Sequence, residues 1–477
     1  MTDSEREPNR KLRRARGEMS QAQLAEKVNA ALLRSTGRPG AVTSKSVSDW
    51  ERGWYSWPIV SVRAALREVL GVAGDAELGF ENRRARAVDE RDATRRSIAL
   101  AELAGHDAPD VSFVDVPGGR FFQGAELAAV TAPSVLVDGG LVLERSSELL
   151  ASLARPHRRT LLVTHTVAED GPVVHVADGR EFAAGAVRRS VSHRVPNAYR
   201  LDDMTIGVVW AVSNTDSAIL ADDSRLDSYQ QLLAHYEERS ASSATLSEVP
   251  KLNDVSSKWL GSDFCARHII RHLPRLTTDP FFWSREQRGE EAAAWLLWTH
   301  KLTYLRHTAA RYANMRRGFC IPEHEVRASP RYERVLALLA VALMEAHGVE
   351  VQISSEPELG EIEGFVVADD LIVANWLRGT GLWYVDTDAP SSRWSAYREI
   401  AGHAATKSII AHPSPAGRLQ AMATYLEVPW TWFAARCREL ASAGVDGLAH
   451  PRSRLVSTDG LMAALRYVAN VNQPQNP

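Results

Sequence analysis

The sequence predicts a multidomain protein that is mainly α-helical and contains α+β parts. A length of 477 residues is too great for a single hydrophobic core. Amphipathic helical spacing dominates both ends of the chain, whereas short β-branched runs between turn residues occupy the middle. The predicted segments are a helical N-terminal domain (1–75), a charged helical linker (76–109), a central α+β domain (110–245), a helical and α/β regulatory domain (251–390) and a C-terminal helical or winged-helix-like subdomain (391–477).

The N-terminal segment begins with a basic helix from Arg10 to Arg16. Ser20 then provides a good helix N-cap, because its short side chain can accept a hydrogen bond from a free backbone N–H. Leu24, Ala25 and Val28 follow at the spacing of one buried helical face. These residues predict the first member of a packed helix pair.

The second member of the pair starts after Thr43, which can cap it, and ends at Gly53. Val47 and Trp50 face inward in such a helix. Short polar side chains on its free face are what a tightly packed helix needs in order to enter the major groove of DNA. These outward side chains, the candidate base-reading residues, are Ser44, Lys45, Ser48 and Asp49.

This pattern resembles the helix-turn-helix domain of the Xre and Cro/C1-repressor family. The composition of the whole chain, with few Lys and many Ala and Arg, looks like that of the long actinobacterial members. The matching stretches are Ser20-Gln21-x-x-Leu24-Ala25 and Val47-Ser48-x-Trp50-Glu51-Arg52-Gly53. The resemblance implies a five-helix DNA-binding domain over about the first 75 residues. It also implies that Glu51 is a buried acid paired with an arginine of the first helix, for which Arg14 or Arg16 could serve.

The resemblance further implies that Gln21 braces a DNA phosphate. The other candidate phosphate-binding residues are basic side chains of the segment itself, Arg13, Arg14, Arg34 and Arg38. One feature departs from the family, because residues 30–41 separate the two helices where the family has only a few residues. We interpret these residues as an extension of the second helix followed by a basic loop.

The distribution of charge favours a polyanionic partner for the N-terminal segment alone. Residues 9–67 contain 12 Lys and Arg against 4 Asp and Glu, a net charge of +8, although the whole chain carries −3. The rest of the chain therefore carries −11, which suits neither DNA nor an acidic surface. We expect double-stranded DNA to be bound by the N-terminal segment.

Cysteine content and hydropathy predict the cellular compartment in which the protein works. The three cysteines are odd in number and far apart, which indicates a reducing environment rather than a disulfide framework. The sequence has neither a membrane-length apolar run nor the core of a signal peptide. We expect a cytoplasmic protein that makes no membrane contact and joins the nucleoid when it binds DNA.

From about Asp110 the sequence alternates between short strands and helices. The predicted strands are 111–116, 134–137, 160–164, 173–176, 349–353, 364–367, 371–374 and 381–385. The predicted helices are 204–221, 286–311, 331–347 and 392–410. The region 259–347 as a whole is also predicted to be helical. The Ser- and Ala-rich stretch 240–245, followed by Pro250, predicts a linker.

The C-terminal residues predict helices at 417–427, 431–440 and 461–468, with a basic segment at 450–460. This order resembles a winged-helix module that could serve as a second DNA contact. The resemblance would place Arg436 and Arg438 against the groove and Arg452 and Arg454 on the wing. A plain helical subdomain or a dimer surface explains the pattern equally well.

Catalytic and metal chemistry are disfavoured. Cys265-x-x-His268-x-x-x-His272 offers three ligands on one helix, whereas a structural zinc site needs four. Residues 397–403 lack the first histidine of the His-Glu-x-x-His zinc-peptidase motif. No serine lies in a nucleophile elbow. The sequence therefore predicts no enzyme, no metal and no cofactor.

The leading hypothesis is a sequence-specific transcription regulator that binds DNA as a homodimer. Its larger part would sense a small-molecule or protein effector, or would oligomerise. One alternative is an antitoxin-like interaction protein that autoregulates its gene, which predicts a stoichiometric protein partner. The other is an enzyme with a DNA-binding head, which requires a pocket with convergent ionisable groups after Asp110.

Overall fold

Helices at the N-terminus and mixed α/β structure in the rest of the chain form two units, residues 1–97 and 98–477, in the computed structural model. The structure describes residues 8–36, 40, 42–53, 58, 60–72, 78–80, 111–137, 140–144, 147–153, 159–168, 171–184, 192–239, 241–245, 252–284, 288–377, 382–388 and 390–471. The predicted mixture of mainly α with α+β structure is confirmed at this level.

Four helices occur among the described residues of the first unit. They are α1 (Arg10–Arg16), α2 (Gln21–Thr36), α3 (Ser44–Glu51) and α4 (Val60–Leu70). The predicted starts of α1, α2 and α3 are correct to within one residue. Leu24, Val28 and Val47 are fully buried between the helices, and Trp50 packs edge-on against Phe80 with ring centroids 6.3 Å apart. A fifth helix is not among the residues described here, and the charged run 82–96 lies outside them.

The second unit contains three sheets in its described part. Their strands are β1 (Val111–Val116), β2 (Ala125–Thr131), β3 (Val135–Val137), β4 (Gly140–Glu144), β5 (Thr160–Ala168), β6 (Gly171–Asp178), β7 (Ser192–Pro196), β8 (Ala241–Thr245), β9 (Phe281–Ser284), β10 (Arg316–Cys320), β11 (Glu350–Ser354), β12 (Phe365–Val367), β13 (Leu371–Leu377) and β14 (Leu382–Asp386). The strand orders are β1-β2-β5-β6, β3-β4-β7 and β11-β10-β9-β12-β13-β14-β8. In the largest sheet, β9, β10 and β11 run parallel and the other pairs are antiparallel.

Helices cover these sheets. They are α5 (Ser147–Leu153), α6 (Gly179–Ala184), α7 (Asp203–Ala221), α8 (Asp223–Ala234), α9 (Asp254–His272), α10 (Gly289–Leu297), α11 (Thr299–Arg311), α12 (Glu323–Ala328), α13 (Arg331–Ala346), α14 (Ser391–Thr406), α15 (Pro415–Tyr425), α16 (Trp430–Ala443) and α17 (Asp459–Asn470). One buried hydrophobic cluster extends from Val114 to Val468. The predicted segments 110–245, 251–390 and 391–477 therefore share a core. None of the helices described is long and apolar enough to cross a membrane.

The structure corrects three predictions of secondary structure. The expected linker at 240–245 is in fact β8, an edge strand that pairs with β14 through its backbone. The sequence does not predict this strand, because Ala and Ser side chains do not favour β structure. An edge strand can nevertheless form with them, since it depends more on backbone pairing than on side-chain packing. The expected continuous helix at 286–311 breaks at Trp298, whose extended backbone bridges to Val456. Strands β9 and β10 were missed inside the helical region because they are only four and five residues long.

The predicted winged helix is also corrected. Its three helices exist, but the described residues 450–458 form turns and one isolated bridge, with no hairpin to serve as a wing. Arg436 does not face a groove, because its side chain is fully buried and its Nε lies 2.6 Å from the Asp202 carboxylate. Arg452 donates from its backbone N to Asp216 at 2.8 Å and from its Nε to the same carboxylate at 3.2 Å. Arg454 forms an exposed ion pair with Asp227, and Arg438 is exposed.

Candidate nucleic-acid interface

Helix α3 presents the predicted base-reading residues on its outer side. Its N-terminus is closed by a capping box, in which Thr43 Oγ1 accepts from the Ser46 backbone N–H at 3.2 Å and Ser46 Oγ accepts from the Thr43 N–H at 3.3 Å. The exposed or half-buried side chains are Ser44, Lys45, Ser48 and Asp49. The free N–H groups and partial positive charge of a helix N-terminus favour a phosphate near these residues.

A buried ion pair fixes α3 against the first two helices. Arg16 of α1 donates from Nε to Glu51 Oε1 at 2.6 Å, and Gln21 of α2 donates from Nε2 to Glu51 Oε2 at 2.8 Å. Glu51 is 9% exposed. Burial raises the pKa of Glu51, but the hydrogen bonds from Arg16 and Gln21 outweigh it, so the net shift is downward and the group stays ionised.

The ion pair identifies the arginine partner of Glu51 and changes what is expected of Gln21. Arg16, rather than the exposed Arg14, is the partner of Glu51. Gln21, which the resemblance assigns to a phosphate, donates one amide N–H to Glu51. Its second N–H is the group that a phosphate contact would use.

The long connection between α2 and α3 is closed by Asn29. The Asn29 amide donates to the Val42 carbonyl at 2.8 Å, and its oxygen accepts from the Val42 N–H at 3.0 Å. A Cβ on Gly40 would lie 2.3 Å from Asn29 Oδ1, so a larger residue there would displace the Asn29 side chain. Sequence reasoning did not identify Asn29. Its signal was a polar side chain beside the apolar stripe of α2, opposite an unusually long loop.

We expect the substitution Asn29→Ala to destabilise the loop that leads into α3. It leaves the Val42 N–H and C=O without their partner, which should lower the free energy of unfolding of this unit by about 1–3 kcal/mol. Hydrogen exchange of the full chain measures the effect as faster exchange in residues 42–47. Asn314→Ala, which removes an exposed amide from the other unit, is the matched control. Unchanged exchange in residues 42–47 would show that Asn29 does not hold the loop.

The candidate phosphate-binding residues differ in accessibility. Arg13 and Arg14 are exposed on α1, which packs against α3. Arg34 is exposed and pairs with Glu68 at 2.7 Å on the surface. A surface ion pair of this kind contributes little, so Arg34 can exchange Glu68 for a phosphate at small cost. Arg38 lies outside the described residues.

The cysteine and histidine helix does not form a metal site. Burial raises the pKa of the Cys265 thiol to about 12. Burial and the neighbouring His272 lower the pKa of His268 to about 4. Across the residues that could be described, no group of His, Cys, Asp or Glu has a geometry that could hold a metal ion.

Comparison of the chain with protein-family models, with curated proteins and with solved structures found no match.

Proposed function

We propose that the protein is a sequence-specific DNA-binding transcription regulator whose first unit reads the operator. The observation that carries the proposal is the outer side of α3, where Ser44 and Lys45 are exposed. Val47 and Trp50, on the inner side of the same helix, are buried in the core of the unit. A short helix with small polar side chains and one lysine fits the width and hydrogen-bonding pattern of the major groove.

In this proposal the two kinds of contact have separate roles. Arg13, Arg14 and Arg34 neutralise phosphates and fix the position of the unit on the duplex, without reading sequence. Lys45 donates to base acceptors, and the hydroxyl groups of Ser44 and Ser48 can donate or accept. Two copies of the chain on adjacent half-sites would multiply the affinity and produce a palindromic operator.

The antitoxin-like alternative shares the DNA-binding first unit and differs in its partner. It requires the second unit to hold another protein at fixed stoichiometry. Purification of the chain from its native cell distinguishes the two hypotheses, because only the alternative yields a second protein in equal amount.

We expect the double substitution Lys45→Ala and Ser48→Ala to reduce sequence preference. Each lost base contact should cost about 1–3 kcal/mol of discrimination against the wrong base, while binding to unrelated DNA changes little. Arg34→Ala should instead weaken binding to all sequences and reduce the dependence of affinity on salt concentration. Competition titrations of operator against random duplex DNA, at two salt concentrations, measure both effects.

The control is Lys407→Ala, which removes an exposed lysine from the second unit. It should leave both affinity and preference unchanged. If the double variant keeps the operator preference of the unaltered chain, α3 does not read bases and the proposed docking is wrong.

A further inference from the structure

A cavity of about 190 Å³ lies inside the second unit, between its largest sheet and three helices. Helices α9, α10 and α11 form one side, and strands β9, β10, β12 and β13 form the other. An apolar cavity of roughly 150 Å³ in an engineered protein is enough to bind benzene. By volume, this cavity can therefore hold one aromatic ring with a small substituent.

Many of the residues that line the cavity are aromatic. They are Phe121, Phe282, Trp283, Trp295, Trp298, Tyr304 and Phe365. Aromatic side chains pack well against another flat ring, in offset-stacked or edge-to-face arrangements. The wall therefore favours a planar aromatic occupant over a branched aliphatic one.

Arg317 of β10 is held in this wall through its two Nη atoms and by aromatic rings. It is 2% exposed, and its Nη1 and Nη2 donate to Ser284 Oγ at 2.7 Å and to Tyr304 OH at 3.3 Å. Its Cζ lies 4.8 Å from the ring centroid of Trp295 and 4.9 Å from that of Phe282. Its Nε is buried and has no hydrogen-bond acceptor within the described part of the chain.

Two tryptophans of the same wall also have buried N–H groups without an acceptor. Trp295 lies in α10 and Trp298 directly follows that helix, and each residue is 3% exposed. The Nε1 atom of each has no hydrogen-bond partner among the residues that the structure describes. Because an unpaired buried donor is unfavourable and native structures almost always satisfy it, these three donors indicate that a molecule in the cavity supplies acceptors.

Water is one possible source of those acceptors, and an organic ligand is the other. Water occupies roomy polar cavities where it finds two to four polar partners. It would satisfy the donors but would leave the aromatic surface of the wall hydrated, which is unfavourable. A ring that carries acceptors at its edge satisfies the donors and removes the aromatic surface from water.

The donors require acceptors but not a net charge on the ligand. An uncharged ligand also avoids the large cost of moving an ion out of water. We propose that this cavity binds a small, uncharged, planar aromatic ligand with carbonyl oxygens or ring nitrogens at its edge. The ring packs among the aromatic side chains, and the acceptors receive hydrogen bonds from Arg317 Nε and from the indole N–H groups of Trp295 and Trp298.

The proposal concerns binding rather than covalent chemistry. Burial raises the pKa of the Cys265 thiol in the wall to about 12, so this group is not a nucleophilic thiolate at neutral pH. The Arg317 guanidinium stays protonated in a protein and cannot act as a base. Neither group would alter a ligand that binds beside it.

The test is calorimetric titration of the full chain, without DNA, with acetophenone and 4-acetylpyridine. These uncharged one-ring compounds carry one and two acceptors, and we expect both to bind at millimolar concentration or below. Toluene, which carries no acceptor, measures the contribution of the aromatic wall alone. If neither ketone binds, water alone occupies the cavity and the proposal is wrong. Because DNA is absent, that failure would leave the proposed function of the first unit untouched.

Arg317→Met tests the role of Nε. It should weaken binding of acetophenone by about tenfold to a hundredfold, because a hydrogen bond to a charged donor is lost, and should not weaken binding of toluene. The fold should remain intact, because an apolar side chain of similar length replaces a buried cation. The matched control is Arg316→Met, since Arg316 precedes Arg317 in β10, is exposed and does not line this cavity. Equal losses for acetophenone and toluene, or no loss for either, would contradict the proposal.

Trp295→Phe keeps an aromatic ring in the wall and removes one N–H donor. It should weaken binding of acetophenone relative to toluene by about threefold to tenfold, because a neutral hydrogen bond is lost. Trp259→Phe is the matched control, since Trp259 is equally buried and its Nε1 also has no partner among the described residues, but it does not line the cavity. The same change in both variants would show that the Trp295 N–H does not contact the ligand, against the proposal.

Discussion

Replacing Glu51 with alanine is expected to unfold most of the first unit and to abolish DNA binding. The carboxylate is buried between Arg16 and Gln21, so its removal leaves the Arg16 guanidinium buried without a counter-charge. Breaking a buried pair in this way costs about 3–5 kcal/mol. That is a large fraction of the stability of a small helical unit.

Hydrogen exchange of the full chain measures this effect by unit. We expect fast exchange throughout α1, α2 and α3 in Glu51→Ala, with unchanged protection in the second unit. The control is Glu26→Ala, which removes an exposed carboxylate from α2 and should leave exchange unaltered. Glu51→Gln keeps the shape and removes only the charge, so its effect should be intermediate. Retained protection and operator binding in Glu51→Ala would show that the ion pair does not hold α3.

A loss of similar size is expected in the second unit from Asp216→Ala. Asp216 is fully buried and accepts from Arg159 Nη2 at 3.1 Å, from the backbone N of Arg452 and of Ser453 at 2.8 Å each, and from Arg452 Nε at 3.2 Å. Alanine would leave two backbone donors unpaired and Arg159 with only Asp178 as its carboxylate. We expect the free energy of unfolding to fall by about 3–5 kcal/mol.

Denaturant unfolding followed by tryptophan fluorescence measures this change, because many of the tryptophans are buried in the second unit. Asp227→Ala is the matched control, since Asp227 pairs with Arg454 on the surface, where both side chains are about half exposed. Its effect should be below about 1 kcal/mol. Equal effects of the two substitutions would contradict the distinction between a buried network and a surface pair.

The first unit could be predicted closely because its signals are local. Ser20 and Thr43 cap helices within a few residues of themselves, and the apolar spacing of Leu24, Val28 and Val47 defines inward faces. The pairing of Glu51 depended on tertiary geometry, so spacing left Arg14 and Arg16 as alternatives. The contact between Asn29 and Val42 had no local pattern and was missed.

The second unit could be predicted only in part because its decisive contacts join distant residues. Arg436 looks like a surface arginine on a helix, but it is buried against Asp202, more than two hundred positions earlier. Arg452 is held by Asp216 over a similar separation. The buried Arg317 lies in β10, a short strand inside a region that the sequence predicts to be helical. Such partners become visible only when the chain is folded.

Selection of bound sequences from a random double-stranded DNA library by the intact protein tests the central claim most directly. The account predicts one enriched motif with inverted symmetry, whose half-sites lie about one helical turn of DNA apart, and loss of that enrichment in the Lys45→Ala, Ser48→Ala variant. Recovery of no motif, or of the same motif with equal enrichment by the variant, would contradict it.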